Sequence, residues 1–473
     1  MRTKLFIVLL ALFSLQAKAW DWWPLPMAEP DTCHEQLLYV SEVGVLASGG
    51  KGTPTWLQAN RNGAVSPMPF SGSVTLGVVK PATRDNRWFD YDGGIVLSGR
   101  IAGATTSGSI DYTGFFKQLY AHVRLYIVDV TVGIKPQYFG AGDPELSSGS
   151  ILFSQNVHPI PRISIGIDRW TAIPGLFGYA EIKGGLTHGW LGDNNGWVKG
   201  TLLHYKYIGA RVGGKLSVNV SYEFHHAAQW GGFSSTYGDL GNDFASFWNV
   251  LLGKSGGSTS NELLNAQGNH LFSQQLCLTA KGEKWHVNAY WQNINEDGPV
   301  RFIGATMNAK DGLWGVSAEQ QYWPFICALT FEVLQTTDQS GPWHDRDGQV
   351  FGGNDSYYKN SIYRQGWTYF GRTIGSPLMS PSNSRVWAYH AGVRGDIYGF
   401  KYRAVCTYAD NYGTYNAPAV SHNTAVLLEV KKRVPQAWNL EFGVALAGDF
   451  GTQYGNQFGG MITVSKQGII KKW

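Results

Sequence analysis

Residues able to do chemistry are spread through the chain without a catalytic spacing. There is no G-x-S-x-G, no phosphate-cradling glycine loop and no H-E-x-x-H, because His34-Glu35 runs on into Gln36-Leu37-Leu38. A hydrolase would need an inward-facing nucleophile with a base in reach, and the sequence assembles none. His225-His226 and His188-x-Trp190 are the nearest approach to metal ligands. Neighbouring residues on a strand point to opposite faces, so these read as hydrogen-bonded interior side chains. Asp345-x-Asp347-Gly348, followed by Asn354 and Asp355, is a fragment of a calcium loop lacking the full oxygen set, and reads as a solvated turn. The expectation is a protein that is not an enzyme and uses no cofactor and no metal.

One segment is dense in groups suited to binding. Residues 336–385 carry Trp343, His344, Tyr357, Tyr358, Tyr363, Trp367, Tyr369 and Phe370 among amides, with Arg364 and Arg372 close by. Flat rings stack on the CH faces of sugars while amides and guanidinium groups bond hydroxyls or carboxylates. Loops this long are uncommon without a function. The expected polysaccharide-binding set is Trp343, Tyr357, Tyr358, Tyr363, Arg364, Trp367 and Arg372. The competing expectation is a plug whose rings pack on one another, and the two can coexist.

The elements that must carry this loop are strands. Sixty glycines in 473 residues, 19 Trp and only 15% charged residues exclude disorder, collagen and coiled coil. Strict alternation recurs: Leu216, Val218, Val220, Tyr222 and Phe224 oppose Ser217, Asn219, Ser221, Glu223 and His225, and Trp285, Val287, Ala289 and Trp291 oppose His286, Asn288, Tyr290 and Gln292. About eighteen such runs occur, near 36–47, 72–80, 93–104, 117–127, 128–136, 162–169, 177–188, 200–210, 215–226, 271–281, 284–294, 313–323, 325–335, 386–396, 399–408, 423–433, 438–449 and 457–466. Runs of roughly ten residues suit tilted membrane-spanning strands, whereas sandwich strands are nearer five or six. Connections alternate between tight turns, such as Val212-Gly213-Gly214 and Trp323-Pro324, and long loops at 137–161, 227–270, 295–312 and 336–385. The pattern predicts an all-β fold, a transmembrane antiparallel up-and-down β-barrel of about 18 strands with long extracellular loops. Two connections depart from it: 81–92 is long on the short-turn side, and 450–456 is short on the other. The two longest loops, 227–270 and 336–385, are expected to obstruct the lumen.

Residues 1–19 read as a signal peptide, with Arg2 and Lys4 before an apolar core and Ala17-Lys18-Ala19 at the cleavage site. Export to the outer membrane follows, with 20–35 as a short periplasmic segment and 36–473 as the barrel. Losing Arg2, Lys4 and Lys18 brings the 38 basic residues close to parity with the 34 acidic ones, so no basic stripe suggests nucleic acid. Cys33, Cys277, Cys327 and Cys406 follow no metal or redox spacing and read as unpaired packing residues.

The stretches TPTWLQANRNG (53–63), ELSSGSILFSQNVHPIPRISIGI (145–167), EIKGGLTHGWLGD (181–193), LLHYKY (202–207), HHAAQWGG (225–232) and NDSYYKNSIYRQGWTYFGRTIGSPL (354–378) resemble the capsule-assembly Wzi family of outer-membrane proteins in its Bacteroides-type form. The resemblance implies an 18-stranded barrel that acts as a lectin, binding capsular or other surface polysaccharide and assisting its attachment. It implies surface polysaccharide and outer-membrane lipid as partners, no nucleic acid, and a monomer. The alternative is a porin or diffusion channel, since 18 strands can enclose water. Enterobacterial members carry a periplasmic helical portion for which only 20–35 and 81–92 are available here, so the resemblance does not extend to direct coupling with periplasmic export machinery.

Overall fold

The computed structural model describes residues 35–473 apart from 51, 84–87, 105–108, 193–196, 257–265, 297–309, 342–343, 347–348 and 353. The signal peptide, the 20–35 segment up to Glu35, and Cys33 therefore lie outside the described residues, as does Trp343.

Eighteen antiparallel strands form one closed sheet. They are β1 (Gln36–Gly49), β2 (Phe70–Lys80), β3 (Phe89–Ala104), β4 (Ser109–Leu125), β5 (Val128–Ile134), β6 (Arg162–Ala172), β7 (Ala180–Gly192), β8 (Thr201–Val212), β9 (Val218–Trp230), β10 (Asn269–Lys281), β11 (Trp285–Gln292), β12 (Gly312–Gln320), β13 (Ala328–Gln335), β14 (Val386–Ile397), β15 (Phe400–Gly413), β16 (Pro418–Val434), β17 (Leu440–Gly451) and β18 (Gln457–Lys472). Each pairs with its neighbours in sequence, and β1 closes the ring on β18 from Gln36↔Lys472 to Gly49↔Phe458. Closure leaves no unpaired strand edge, which a sheet crossing hydrocarbon requires. The chain forms a transmembrane β-barrel.

The alternation read from the sequence sets the two faces. On β9, Val220 is 41% exposed on the outer face while its neighbour Asn219 is 2% exposed in the lumen. The connections after even-numbered strands are all short and share one rim. At Tyr398-Gly399 both residues have positive φ (54° and 76°), the primed two-residue turn whose twist matches a right-handed hairpin, and Ile397 pairs directly with Phe400. Exposed aromatics beside these turns, among them Trp88, Phe177, Trp285, Trp323, Tyr398 and Trp438, mark the lower membrane interface. The connection expected at 81–92 is shorter, because β3 begins at Phe89.

Long connections share the opposite rim, and three of them turn into the lumen. Segment 50–69 carries a one-turn helix α1 (Thr55–Gln58), whose Trp56 Nε1 donates to Thr407 Oγ1 at 3.0 Å while Thr55 N donates to Asp449 Oδ2 at 2.8 Å. Segment 135–161 is tied to the wall by Asp143, which pairs with Arg394 at 2.7 Å, and by Leu146, whose carbonyl meets His390 Nε2 at 2.6 Å. Glu332 on β13 accepts from Ser147 Oγ, Ser148 N and Tyr290 Oη at 2.6–2.7 Å. The third segment is 336–385.

The other long loop, 231–268, corrects the expectation that it blocks the lumen. Its helix α2 (Phe244–Leu252) begins at Asp243, whose side chain caps Ser246 N, and ends at Gly253 in the left-handed conformation. It packs on β-strand residues that face away from the lumen: Ala228 and Trp230 on β9 are buried against Val250, with Leu202 and Phe247 alongside. The described part of the loop passes over the rim and down the outer wall.

Candidate functional site: the plug, its outer face and the cavity beneath

The expected binding rings are the plug itself. Tyr357, Tyr358, Tyr363 and Trp367 are each 0% exposed. Their polar ends are satisfied by distant segments: Tyr357 Oη donates to Asp311 Oδ2 at 2.8 Å, Trp367 Nε1 to the Leu152 carbonyl at 2.8 Å, Tyr363 Oη to the Gly231 carbonyl at 3.2 Å, and Tyr358 Oη to the Ile151 carbonyl. A ring with both faces packed and its donor committed has no surface for a sugar. Stacking by these four is thus corrected to core packing. The close approach is built in: a side chain on Gly375 would strike the Ile151 carbonyl, with 1.9 Å left for its Cβ.

Arg372 also serves the plug, donating to the carbonyls of Gln58 and Val65 at 3.2 and 2.5 Å and so joining segment 336–385 to segment 50–69. Burial, with the nearby Arg100 charge, lowers its pKa to about 10. Arg100 and Arg372 flank His158, whose ring lies 4.4 Å from Phe115 and 5.4 Å from Phe370, and burial with these two charges lowers its pKa to about 4. Asp311 accepts from the backbone N–H of Asp338 and Gln339 as well as from Tyr357. Burial outweighs these donors and raises its pKa to about 6.

Arg364 alone of the described expected residues is on the surface, with its guanidinium 4.9 Å from the centre of the Trp197 ring. Trp197 adjoins a three-stranded ladder of Val198–Lys199, Phe233–Ser234 and Gly238–Asp239 above the rim. Phe233, Tyr237 and Trp197 are exposed there, and Val198, Leu240, Ile362 and Tyr363 form the core beneath. This outward patch of rings with a cation was missed in the sequence, because its members come from three separate loops. Tyr363 at its base joins the plug to the ladder.

Beneath the plug lies a cavity of about 160 Å³. Phe139, Leu152 and Phe153 roof it, and Asp168, Lys183, Tyr207, Glu223, His225 and Gln275 supply polar wall groups. Tyr207 Oη donates to Asp168 Oδ1 at 2.6 Å, and Lys183 pairs with Glu223 at 2.7 Å.

The remaining candidates fall apart in space. His225 faces the lumen, but His188 and His226 do not. By register they point outward, which corrects their reading as interior polar residues; Phe247 of α2 lies beside His188, and His270 and Phe272 beside His226. Asn354 and Asp355 are buried, bonding Asn416 at 3.0 Å and Ser340 at 2.5 Å, whereas Asp347 and Gly348 lie outside the described residues. Among the described residues Cys277, Cys327 and Cys406 are free thiols.

No protein-family model matches this sequence, and a search of curated proteins finds no match. Among solved structures, the chain is similar to Wzi of Escherichia coli, described as an outer-membrane protein involved in group 1 capsule assembly and a carbohydrate-binding β-barrel. The TM-score is 0.60 at 15% identity, covering 90% of this chain and 84% of that one. It is also aligned with OccK5 (OpdH) of Pseudomonas aeruginosa at a TM-score of 0.46 and 9% identity, over 93% of this chain and 99% of that one. OccK2 (OpdF) of the same organism gives 0.47 and 10%, over 92% and 98%. The likeness to the first of these supports the barrel fold.

Proposed function

We propose that this protein is a non-enzymatic outer-membrane binder of surface polysaccharide, capsular or related, which holds glycan on its outward face and assists its attachment. The observation that carries the reading is the exposed Trp197–Arg364 pair on a ladder anchored to the plug by Tyr363. An indole ring offers a flat apolar face to a sugar, and a guanidinium beside it bonds hydroxyls or an acidic sugar's carboxylate. The resemblance in sequence and the carbohydrate-binding barrel of similar fold support the same reading. Three loops buried in the lumen weigh against free diffusion of large solutes.

The test uses Trp197→Ala, Arg364→Ala and their combination in cells that make a surface polysaccharide. Each lost contact is worth on the order of 1 kcal/mol, about a fivefold weakening, and the double variant should retain least glycan while its heat-modifiable barrel is unchanged. Normal retention by the double variant would remove this patch as the site. Large, steady single-channel currents from the purified wild-type protein would favour the channel reading.

A further inference from the structure

Above the lower aromatic belt, the outer wall of β7 to β10 changes character. Ile208 on β8, Val220 on β9 and Leu276 on β10 are exposed apolar residues. Higher on the same outward rows come His188, His204, Lys206, His226 and His270, which hydrocarbon would not accept. The α2 helix covers His188, His204 and Lys206, while His226 and His270 bond each other at 2.7 Å and stack on Phe272. The Phe247 ring centre is 6.2 Å from that of His188, 6.1 Å from His204 and 6.1 Å from Trp230, and the Lys206 ammonium donates to the Leu251 carbonyl at the helix C-terminus. Lysine at that end complements the helix dipole.

Among the described residues the opposite stripe of α2 has no cover. Phe244, Trp248 and Leu252, spaced i, i+4 and i+8, are 74%, 44% and 55% exposed and contain no charge. His204 is eight residues above Val212 at the foot of β8. At ~3.3 Å per residue and a tilt near 40°, that is roughly 20 Å up a hydrophobic band about 25 Å tall. The stripe thus continues the lipid-facing surface of the strands at its upper margin, near Trp190, which pairs with Leu202 and is also exposed.

We infer that α2 is an interfacial helix seated in the outer leaflet, with Phe244, Trp248 and Leu252 in the acyl-chain boundary and the histidine-rich wall sealed beneath it. The occupant of the stripe is lipid, because the stripe carries no charge and is continuous with the lipid-facing wall of the strands. A polar wall that would otherwise end the lipid contact is thereby replaced by an apolar one. This inference does not depend on the polysaccharide reading.

The test places a nitroxide label at Phe244→Cys, Trp248→Cys or Leu252→Cys in full-length protein whose native cysteines are replaced by alanine, reconstituted in phosphatidylcholine vesicles. Val220→Cys is the lipid-facing reference and Thr236→Cys, exposed on the loop above, the aqueous one. Collision with oxygen should exceed collision with a water-soluble nickel complex several-fold at the three helix positions, as at Val220. Access to the nickel complex equal to that at Thr236 would overturn the inference. So would low access to both reagents, which would place a second copy of the chain on the stripe. As a measurement without labels, brominated acyl chains should quench wild-type fluorescence more than that of Trp248→Phe, and equal quenching would count against the seat.

Discussion

Loops 231–268 and 336–385 leave the same rim, and both are rich in rings, yet one lies against the outer wall and the other fills the lumen. The difference is in the polar ends. The fully buried rings of 336–385 are Tyr357, Tyr358, Tyr363 and Trp367, and each donor meets an acceptor on another segment, at Asp311, Ile151, Gly231 and Leu152. The exposed stripe of α2 is Phe, Trp and Leu, carrying a single polar group between the three side chains. A lumen walled by Glu, Gln, Ser and Thr can satisfy donors, whereas hydrocarbon cannot, so ring content alone does not say where a loop goes. What each ring must bond decides it.

The largest expected effect is on the inner side. Trp367→Ala leaves a cavity and frees the Leu152 carbonyl, at a cost of about 3–5 kcal/mol to the plug. The strand ladder does not depend on it, so heat-modifiability should persist while single-channel conductance and proteolysis within 336–385 both rise. Trp248→Ala should change neither, and a conductance change there would break the comparison. On the wall itself, Ile208→Arg should cost about 2–4 kcal/mol and impair assembly, while Asn219→Arg, facing the lumen, assembles nearly normally. Equal assembly of the two would mean the register is off by one residue.

Much of this was legible because alternation is a local signal: eighteen runs, the tight turns and the faces all follow from polarity every second residue. The fate of the loops was not. Tyr358 is buried because Ile151, more than 200 positions away, offers its carbonyl, and nothing near Tyr358 in sequence announces this. The outside course of α2 left a fainter trace, in Asp243 as cap, Gly253 as stop and the 244/248/252 stripe between them. Trp197 and Arg364 meet only after three loops have folded.

Acidity should loosen the plug through His158, whose pKa is lowered to about 4 by burial and by Arg100 and Arg372. Between roughly 6.5, the ordinary imidazole value, and 4, the unpacked ring takes up a proton that the packed ring resists. Its contribution is therefore intact above about 6.5 and lost as the pH falls. Asp311 acts with the opposite sign: raised to about 6, it contributes fully below about 4 and loses that contribution as the pH rises to 6. Protease protection of 336–385 followed against pH should lose its acid-side decline in His158→Phe and steepen that decline in Asp311→Asn. Unaltered profiles would mean that neither group titrates with the plug.

The smallest expected effect belongs to the outer seat. His204 is 0% exposed, and among the described residues neither of its ring nitrogens has a hydrogen-bond partner. One nitrogen must carry a hydrogen and the other a lone pair, so both a donor and an acceptor are buried unsatisfied between β8 and α2. The ring touches apolar and aromatic neighbours, with Phe247 and His226 at centre distances of 6.1 and 5.6 Å. Leucine has a similar volume and no polar atom. His204→Leu should therefore hold α2 more firmly, by about 1 kcal/mol, and slow hydrogen exchange across 244–252 about fivefold without altering conductance. The same substitution at Tyr357 removes a donor that Asp311 accepts, and should speed exchange in the plug. If His204→Leu speeds exchange in α2 instead, the histidine holds a partner that the packing of protein groups does not supply, and the seat depends on it.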